Sequence, residues 1–500
     1  MLETLKVMPA AFWVVIALLG GGLFWSSTNL RRGIGIPAIM VLVTIAVWYV
    51  GDALYNDYRY WHMVLFPQTV LTKAWWQVAL FLAVFLLLTP RLHNWINARF
   101  LGRSSQTLNM FKGGVQSPQF QRGLTILFGA ASCVWGCLVI GAVFRFRGNI
   151  IFYFFPYLGG YAGPWVTSGV AGGGTDSLLA LANYLQLMVG AIFGVVSALS
   201  TDSRVRGLAL IGVLLTWPYY IFDRTRKSIL AIVVPGILAW VFLRFRGGLL
   251  LKAAMIAAIF VVTNAWFGFL IGHRSNTVIT EAFMEEGFDF AKGSEEKHQG
   301  LNMFEELSWI TMLTGDGSYS PNWGQNYFAN LANPIPRSLW SGKPTIGLDY
   351  AVARGVGGAD TEAGVYATMS NGLIGQGIAN FGLYIGTAFA ALLMSLWVCW
   401  LARLDLDGQK IGYIPLYGLG LILTFAIGRD ITFLDLYPFV FGYAICWWLN
   451  RKPTGRPQPP HAGGNSRRNP LRRGRPQVAL TARRNQSASI LPDPPQAPET

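Results

Sequence analysis

Charged residues are scarce in this chain. Only 13% of its 500 residues are Asp, Glu, Lys or Arg, whereas 53% are hydrophobic, and the mean hydropathy is +0.41. Soluble domains carry about 25% charged residues, so this deficit excludes an ordinary soluble enzyme. The composition predicts a polytopic membrane protein.

The alternation of polar and apolar residues that marks a membrane β-barrel is also missing. Instead, apolar stretches run for about 20 residues, the length that a helix needs to cross a hydrocarbon core. We therefore predict an all-α polytopic membrane protein with about eleven transmembrane helices, at 10–28, 34–50, 74–90, 123–143, 177–199, 207–222, 228–243, 249–269, 373–400, 413–428 and 431–449.

Cysteine and histidine are rare as well, with four and five residues, and all four cysteines lie in apolar stretches. Cys133 and Cys137 are one helical turn apart, but no further ligand pair accompanies them, as a zinc site requires. The soluble-enzyme motifs GxxxxGK[ST], HExxH and GxSxG do not occur. The sequence thus predicts neither a metal site nor a cofactor.

The charges that are present are unevenly distributed. If the carboxyl terminus is cytoplasmic, the segments on its side carry 24 of the 39 Lys and Arg residues, as the positive-inside rule predicts. The tail, 450–500, is rich in Arg, Pro and Gly, and we predict a disordered basic appendage that either meets anionic lipid or has no specific role. The net charge of +15 therefore does not indicate a nucleic-acid partner.

The predicted organisation has four parts. Residues 1–269 hold the first eight helices, 270–372 form a large outer loop, 373–449 hold the last three helices, and 450–500 form the tail. The outer loop holds twelve of the 24 acidic residues, which predicts a solvent-exposed folded cap. Within it, 301–314 is an amphipathic helix, either on the membrane plane or buried within the cap.

The stretch Asn333–Pro344, NPIPRSLWSGKP, lies in the same loop. Its three prolines fix φ and remove backbone donors, so we predict a stiff frame from which Arg337 and Lys343 project. Such a frame suits the presentation of cations to an anion. The alternative is a proline-rich turn whose charges only face water.

Further cations follow the predicted outer face. Arginine clamps phosphate in a bidentate manner and is always charged, so this distribution predicts a phosphate or pyrophosphate held at the membrane surface, as in a lipid-linked donor. The alternative is that the cations only anchor helix ends. The candidate ligands are Arg224, Arg226, Lys343, Arg354 and Arg429.

Three short motifs carry a family resemblance: DRTRKSIL at 223–230, NPIPRSLWSGKP, and NGLIGQGIANFGLYIG at 371–386. Across roughly 200–450 the chain resembles the O-antigen polymerase (Wzy-type) family. The resemblance implies a fold like that of the GT-C-type, lipid-donor glycosyltransferases. It also implies a metal-independent enzyme that joins undecaprenyl-pyrophosphate-linked oligosaccharide repeats for a surface polysaccharide, without a nucleotide sugar.

The resemblance further implies a multi-pass protein of the bacterial inner membrane, with membrane lipid, a chain-length regulator and a repeat-unit flippase as partners. Arg224 or Arg226 matches the basic position between two central helices, and Arg337 and Lys343 match the loop motif. The chain also departs from the family pattern, because nine residues rather than ten separate Arg337 from Gly347, and no histidine lies in the motif.

For the chemistry, we predict that Arg337 stabilises the departing pyrophosphate. A loop carboxylate then accepts the proton of the acceptor hydroxyl, with Glu362, Asp360 or Asp349 as candidates and His273 as a weaker one. Two other functions stay open. One is a ligase of the same fold, and the other is a flippase or transporter, which would carry charges at mid-depth.

Overall fold

The computed structural model describes residues 2–56, 58–100, 115, 117–145, 148–155, 176–216, 226–272, 302–332, 335, 339–344, 347–355, 370–404, 406 and 412–450. All regular secondary structure in these residues is helical, with no strand among them. Apart from Asn450, the predicted tail therefore lies outside the described residues, as do parts of the outer loop.

In the part of the chain that the structure describes, eight longer helices precede the outer loop. They are α1 (Ala10–Thr28), α2 (Gly35–Tyr55), α3 (Gln68–Phe100), α4 (Pro118–Arg145), α5 (Asp176–Leu199), α6 (Ser203–Leu215), α7 (Arg226–Ala239) and α8 (Leu249–Gly272). Within α2, Ala46–Gly51 is π-helical, and α7 continues as a π-helical stretch, Trp240–Arg244. Short helical segments lie at Leu2–Lys6, Leu30–Arg32, Tyr58–Tyr60, Trp61–Leu65 and Ile151–Phe154.

Seven further helices lie among the described residues from 302 onward. The loop contributes α9 (Met303–Gly315), α10 (Gln325–Ala332) and α11 (Leu348–Ala353). The last part of the chain contributes α12 (Gly372–Phe381), α13 (Leu383–Ala402), α14 (Tyr413–Ile427) and α15 (Phe433–Leu449).

Within the described ranges, five helices are long and apolar enough to cross a membrane, namely α1, α2, α3, α4 and α13. Shorter apolar stretches of 10–17 residues lie within α5, α7, α8, α14 and α15. The chain is thus a multi-pass membrane protein, and the described part is all-helical.

The membrane helices pack closely where glycines face each other. α7 packs against both α5 and α14. A Cβ on Gly236 would lie 2.7 Å from the carbonyl carbon and oxygen of Gly194, so the backbones of α5 and α7 are in contact. Small residues at such crossings let helices approach in lipid, where apolar burial alone does not drive association.

The predicted span 373–400 is wrong in one respect: it is two helices. Gly382 has φ +81°, a left-handed value that favours glycine, and it ends α12 before α13 begins. α12 is buried along nearly its whole length. A helix end inside a membrane protein is tolerated where protein surrounds its backbone groups.

The helix predicted at 301–314 is α9, and it is buried rather than on the membrane plane. Its buried residues include Phe304 and Leu307, and the Phe304 ring stacks on Trp75 of α3 at 4.1 Å between centroids. α9 packs against α12, α3 and the last turns of α2. This part of the loop is therefore inserted among the membrane helices, and the expectation of a wholly solvent-exposed cap is wrong for it.

Hydrogen bonds identify which helix ends lie together. The Ile374 N–H donates to the hydroxyl of Tyr49 at 3.0 Å, and the Leu373 N–H donates to the carbonyl of Gly428 at 3.1 Å. The last turns of α2, the start of α12 and the turn after α14 thus share one end of the bundle, which we call the loop end. At the opposite end, the Thr201 N–H donates to Gln121 Oε1 at 2.9 Å, joining α4 to the α5–α6 connection.

Candidate functional site

Asp52 fixes the helix α9 to the membrane helices at the loop end. Its buried carboxylate accepts the backbone N–H of Phe304 at 2.7 Å, that of Glu305 at 3.3 Å and the amide of Asn56 at 2.7 Å. An aspartate that accepts the first N–H groups of a helix satisfies orphan donors and favours the positive end of the helix dipole. Sequence analysis missed Asp52, although a lone acid in an apolar segment is a signal of a specific role.

A second carboxylate, Glu306, is buried on α9 with 1% of its surface exposed. The Tyr350 hydroxyl on α11 donates to Glu306 Oε2 at 2.5 Å, and Arg354 Nε lies 3.6 Å from the same oxygen. Burial raises the pKa of Glu306, while the Tyr350 hydrogen bond and the Arg354 charge oppose that rise. Burial and the charge of Glu306 together raise the pKa of Tyr350 well above its ordinary value.

Arg354, a predicted pyrophosphate ligand, is held between two acids and an aromatic ring. Its Nη2 lies 3.7 Å from Glu305 Oε1, and its guanidinium carbon lies 3.7 Å from the centroid of the Trp309 ring. The side chain is 16% exposed. An anion that bound Arg354 would have to compete with these carboxylates, so in this arrangement Arg354 serves to neutralise and position them.

Asp349 presents an exposed carboxylate that hydrogen-bond donors on its protein side hold in one orientation. The Tyr319 hydroxyl donates to Oδ2 at 2.6 Å, Asn322 Nδ2 donates to the same oxygen at 2.9 Å, and Asn326 Nδ2 lies 3.4 Å from Oδ1. Tyr319 and Asn326 are buried, whereas Asp349 is exposed. The carboxylate is thus fixed in direction by neutral donors and still open to solvent, as a proton acceptor requires.

Two clusters lie next to each other: the Asp349 group, formed by Asp349 with its donors Tyr319, Asn322 and Asn326, and the Glu306 group, formed by Glu306, Tyr350 and Arg354. Asp349, Tyr350 and Arg354 belong to α11 and the residue that ends it, and the rings of Tyr319 and Tyr350 meet edge to face at 6.3 Å. Tyr319 also lies 3.4 Å from the carbonyl of Ala379 on α12. The short helix α11 therefore connects both groups to the membrane helices at the loop end.

Arg429 lies at the same end, in the turn between α14 and α15. The Gln376 side chain donates to the Ile431 carbonyl at 3.1 Å and accepts the Ile431 N–H at 3.0 Å. With the Leu373–Gly428 hydrogen bond, this pair fixes the turn to α12 from both sides. The side chain of Arg429 is exposed, so a cation stands at the bundle surface on a rigid support.

Lys343 differs from expectation. The stiff frame was expected to project its ammonium, yet Lys343 is 8% exposed. Its Nζ donates to the carbonyl of Ile335 at 2.9 Å and so closes the loop between 335 and 343. Its charge stabilises the loop itself.

The other predicted residues are not described. Arg337, Asp360, Glu362, Arg224 and His273 lie outside the described residues, and of Arg226 only the backbone, at the start of α7, is described. Of the predicted cations, the structure therefore locates the side chains of Lys343, Arg354 and Arg429. Within the described ranges, no three His, Cys, Asp or Glu residues group in a way that would hold a metal ion.

Comparisons with protein-family models, with curated proteins and with solved structures gave no match to this chain. The resemblance carried by the motifs at 223–230, 333–344 and 371–386 therefore stays a prediction. What the structure adds is the setting of the third motif, whose helix α12 is buried and contacts the Asp349 partner Tyr319 through the carbonyl of Ala379.

Proposed function

We propose that the chain is a glycosyltransferase that polymerises undecaprenyl-pyrophosphate-linked oligosaccharide repeats at the outer surface of a bacterial inner membrane. The observation that carries the proposal is Asp349, an exposed carboxylate oriented by Tyr319, Asn322 and Asn326 at the loop end of the bundle. Tyr319, which donates to Asp349, also lies 3.4 Å from the carbonyl of Ala379 in the motif at 371–386, and this link to one of the three motifs supports the same reading.

The proposal includes a membrane topology finer than the fold itself. About eleven helices cross the bilayer, the amino terminus and the 270–372 loop lie outside, and the carboxyl-terminal tail is cytoplasmic. The distribution of 24 of the 39 Lys and Arg residues supports this orientation. A lipid-linked donor would then keep its tail in hydrocarbon and its pyrophosphate near the loop end.

The proposed reaction exchanges one bond at the sugar for another. The bond between the anomeric carbon and the pyrophosphate oxygen breaks, and the electron pair leaves with the pyrophosphate. The acceptor hydroxyl oxygen forms the new glycosidic bond, and its proton passes to a carboxylate. Asp349 is the candidate whose geometry the structure describes, and Asp360 and Glu362 remain candidates. Arg337 and the exposed Arg429 supply positive charge for the leaving group.

Asp52 bears on the alternative of a transporter. Transport sites place ionisable groups at mid-depth, facing a pathway. Asp52 is the buried acid of α2, yet its Oδ2 accepts two backbone N–H groups of α9 and its Oδ1 accepts the Asn56 amide, near the end of α2. This arrangement supports a fixed structural joint rather than a moving charge, and so favours an enzyme.

The proposal predicts that Asp349→Asn lowers polymerisation about a hundredfold or more, because a general base contributes roughly 10²–10⁴. The readout is the chain-length distribution of lipid-linked glycan in cells that express the variant. Asp316→Asn is the matched control, because Asp316 is an exposed aspartate of the same loop whose carboxylate accepts the N–H of the nearby Ser318 at 2.9 Å.

We expect Asp316→Asn to make chains of parental length, and both variants to reach parental levels in the membrane. Long chains from Asp349→Asn would remove the carboxylate from the mechanism. If this chain leaves single repeats unchanged and only transfers a polymer made by another protein to its final acceptor, the result would indicate the ligase alternative.

A further inference from the structure

The helix α10 buries its asparagines and exposes two large apolar side chains. Its asparagines, Asn326 and Asn330, are buried at 6% and 4% exposure, whereas Phe328 and Leu331 are 54% and 61% exposed. In a helix that faces water the arrangement would be the reverse. Buried polar groups together with exposed large apolar groups are the informative departure from ordinary protein surfaces.

The buried asparagines make hydrogen bonds inside the protein. Asn326 Oδ1 accepts the Gly347 N–H at 3.3 Å, its Nδ2 faces Asp349, and Asn330 Nδ2 donates to the Asn326 carbonyl at 3.1 Å. The polar face of α10 is therefore fixed inward by the Asp349 group. The large apolar side chains, which lie on the opposite face of α10, therefore point outward.

Contacts place α10 beside a membrane-spanning helix. The ring of Tyr327 lies 6.2 Å from that of Phe381 and 5.7 Å from that of Phe389, and the Tyr327 N–H lies 3.4 Å from Asn380 Oδ1. Phe389 is in the second turn of α13, about 9 Å along the axis from Leu383 at a rise of about 1.5 Å per residue. α10 thus lies alongside the first turns of a span rather than above it.

The exposed apolar surface continues on both sides of α10. After the helix, Ile335 and Leu339 are 40% and 79% exposed, and on α13 Tyr384 and Ile385 are 71% and 66% exposed. The latter two residues open a membrane-spanning helix, so the surface of α10 continues that of a lipid-facing element.

We propose that α10, together with Ile335 and Leu339 beyond it, lies in the membrane interface at the loop end, with Phe328, Leu331, Ile335 and Leu339 in contact with the acyl chains just below the headgroups. An interfacial helix buries its apolar face by about 5–10 Å, which matches the position of α10 beside the first turns of α13. The occupant of this surface is bilayer lipid. The inference does not rest on the glycosyltransferase activity.

Nitroxide labels test this placement in the full-length protein reconstituted in liposomes. In a background with Cys133, Cys137, Cys399 and Cys446 replaced, single cysteines are placed at Leu331, at Leu339 and, as the control, at exposed Ser318. Power saturation then compares collisions with oxygen, which partitions into the bilayer, and with a water-soluble nickel chelate. Two apolar test positions guard against a local disturbance at either one.

We expect oxygen collisions to exceed nickel collisions at 331 and 339, and the reverse at 318. If the nickel chelate dominates at 331 and 339, the surface faces water and the proposal is overturned. If neither reagent reaches these positions, protein covers the surface, as a second copy or another partner would, and the proposal is overturned as well.

Discussion

At the scale of residues, the structure separates cations that stabilise the protein from cations that remain open. Arg354 is engaged with Glu305, Glu306 and Trp309, and Lys343 closes its own loop, whereas Arg429 is exposed. The sequence contains the types of residue that bind phosphate. It does not show their partners, because Glu306 and Arg354 are 48 positions apart and meet only through the packing of α9 and α11.

The buried carboxyl of Glu306 predicts a pH dependence of stability. Its folded-state pKa is raised, chiefly by burial, so its contribution to stability is present in full below the unfolded-state pKa and is lost as pH rises through the folded-state pKa. Glu306→Gln keeps an acceptor for Tyr350 and removes the titration. We therefore expect the melting temperature of the purified variant, relative to that of the parent, to increase as pH rises.

Tyr350→Phe supplies the opposite arm. The Tyr350 hydroxyl opposes the rise in the pKa of Glu306, so its removal leaves the carboxylate harder to ionise in the folded protein, and the parent's decline with pH should steepen. Identical pH profiles for the parent and Glu306→Gln, measured by thermal unfolding in detergent, would show that Glu306 does not titrate between the two states.

At the scale of elements, hydrophobic length predicted the positions of the five long apolar helices among the described residues, and periodicity did not reveal the break between α12 and α13. The α12–α13 break depends on Gly382 at φ +81° and on the backbone contact between Gly377 and Gly386. These three glycines lie in one apolar stretch, whose hydrophobicity predicts a single span. Likewise, the pattern of α10 is amphipathic, but only the packing of Asn326 and Asn330 shows that its polar face is the inner one.

The contact of α12 with α13 predicts a strong effect of one methyl group. A Cβ on Gly386 would collide with the backbone carbonyl of Gly377, and a backbone cannot rotate away as a side chain can. We expect Gly386→Ala to destabilise the protein by about 1–3 kcal/mol or more, as overpacking does. The measurement is the melting temperature followed by size-exclusion chromatography in detergent.

Gly20→Ala is the control, because a Cβ at Gly20 in α1 would meet no atom within 4 Å. Alanine is favoured over glycine in a helix by about 0.8–1.0 kcal/mol, so this variant should be as stable as the parent or more so. Equal stability of Gly386→Ala and Gly20→Ala would mean that α12 and α13 do not touch as described.

At the scale of the whole molecule, composition predicted a multi-pass helical protein, and five long apolar helices confirm that class. The arrangement at the loop end was beyond sequence reasoning, because it joins α2, which ends at Tyr55, to α9, α11 and α12, which all lie beyond residue 302. Asp52, for example, holds Phe304, 252 positions away. The result is a joint in which the outer loop is built into the bundle and carries Asp349 at its surface.

The central claim is that this surface transfers glycans from a lipid-linked donor, and the most direct test is reconstitution. The purified chain is placed in liposomes with lipid-linked single repeats extracted from cells that lack the protein. A chelator is present, and no nucleotide sugar is added. The products are resolved by length, and released undecaprenyl pyrophosphate is quantified.

The account predicts a ladder spaced by one repeat, with one undecaprenyl pyrophosphate released for each bond formed. Arg337→Ala should reduce that rate by about a hundredfold, as removal of one preorganised donor does. Single repeats that stay unchanged in the presence of the folded parent protein, or that only cross the bilayer without a new glycosidic bond, would contradict the account.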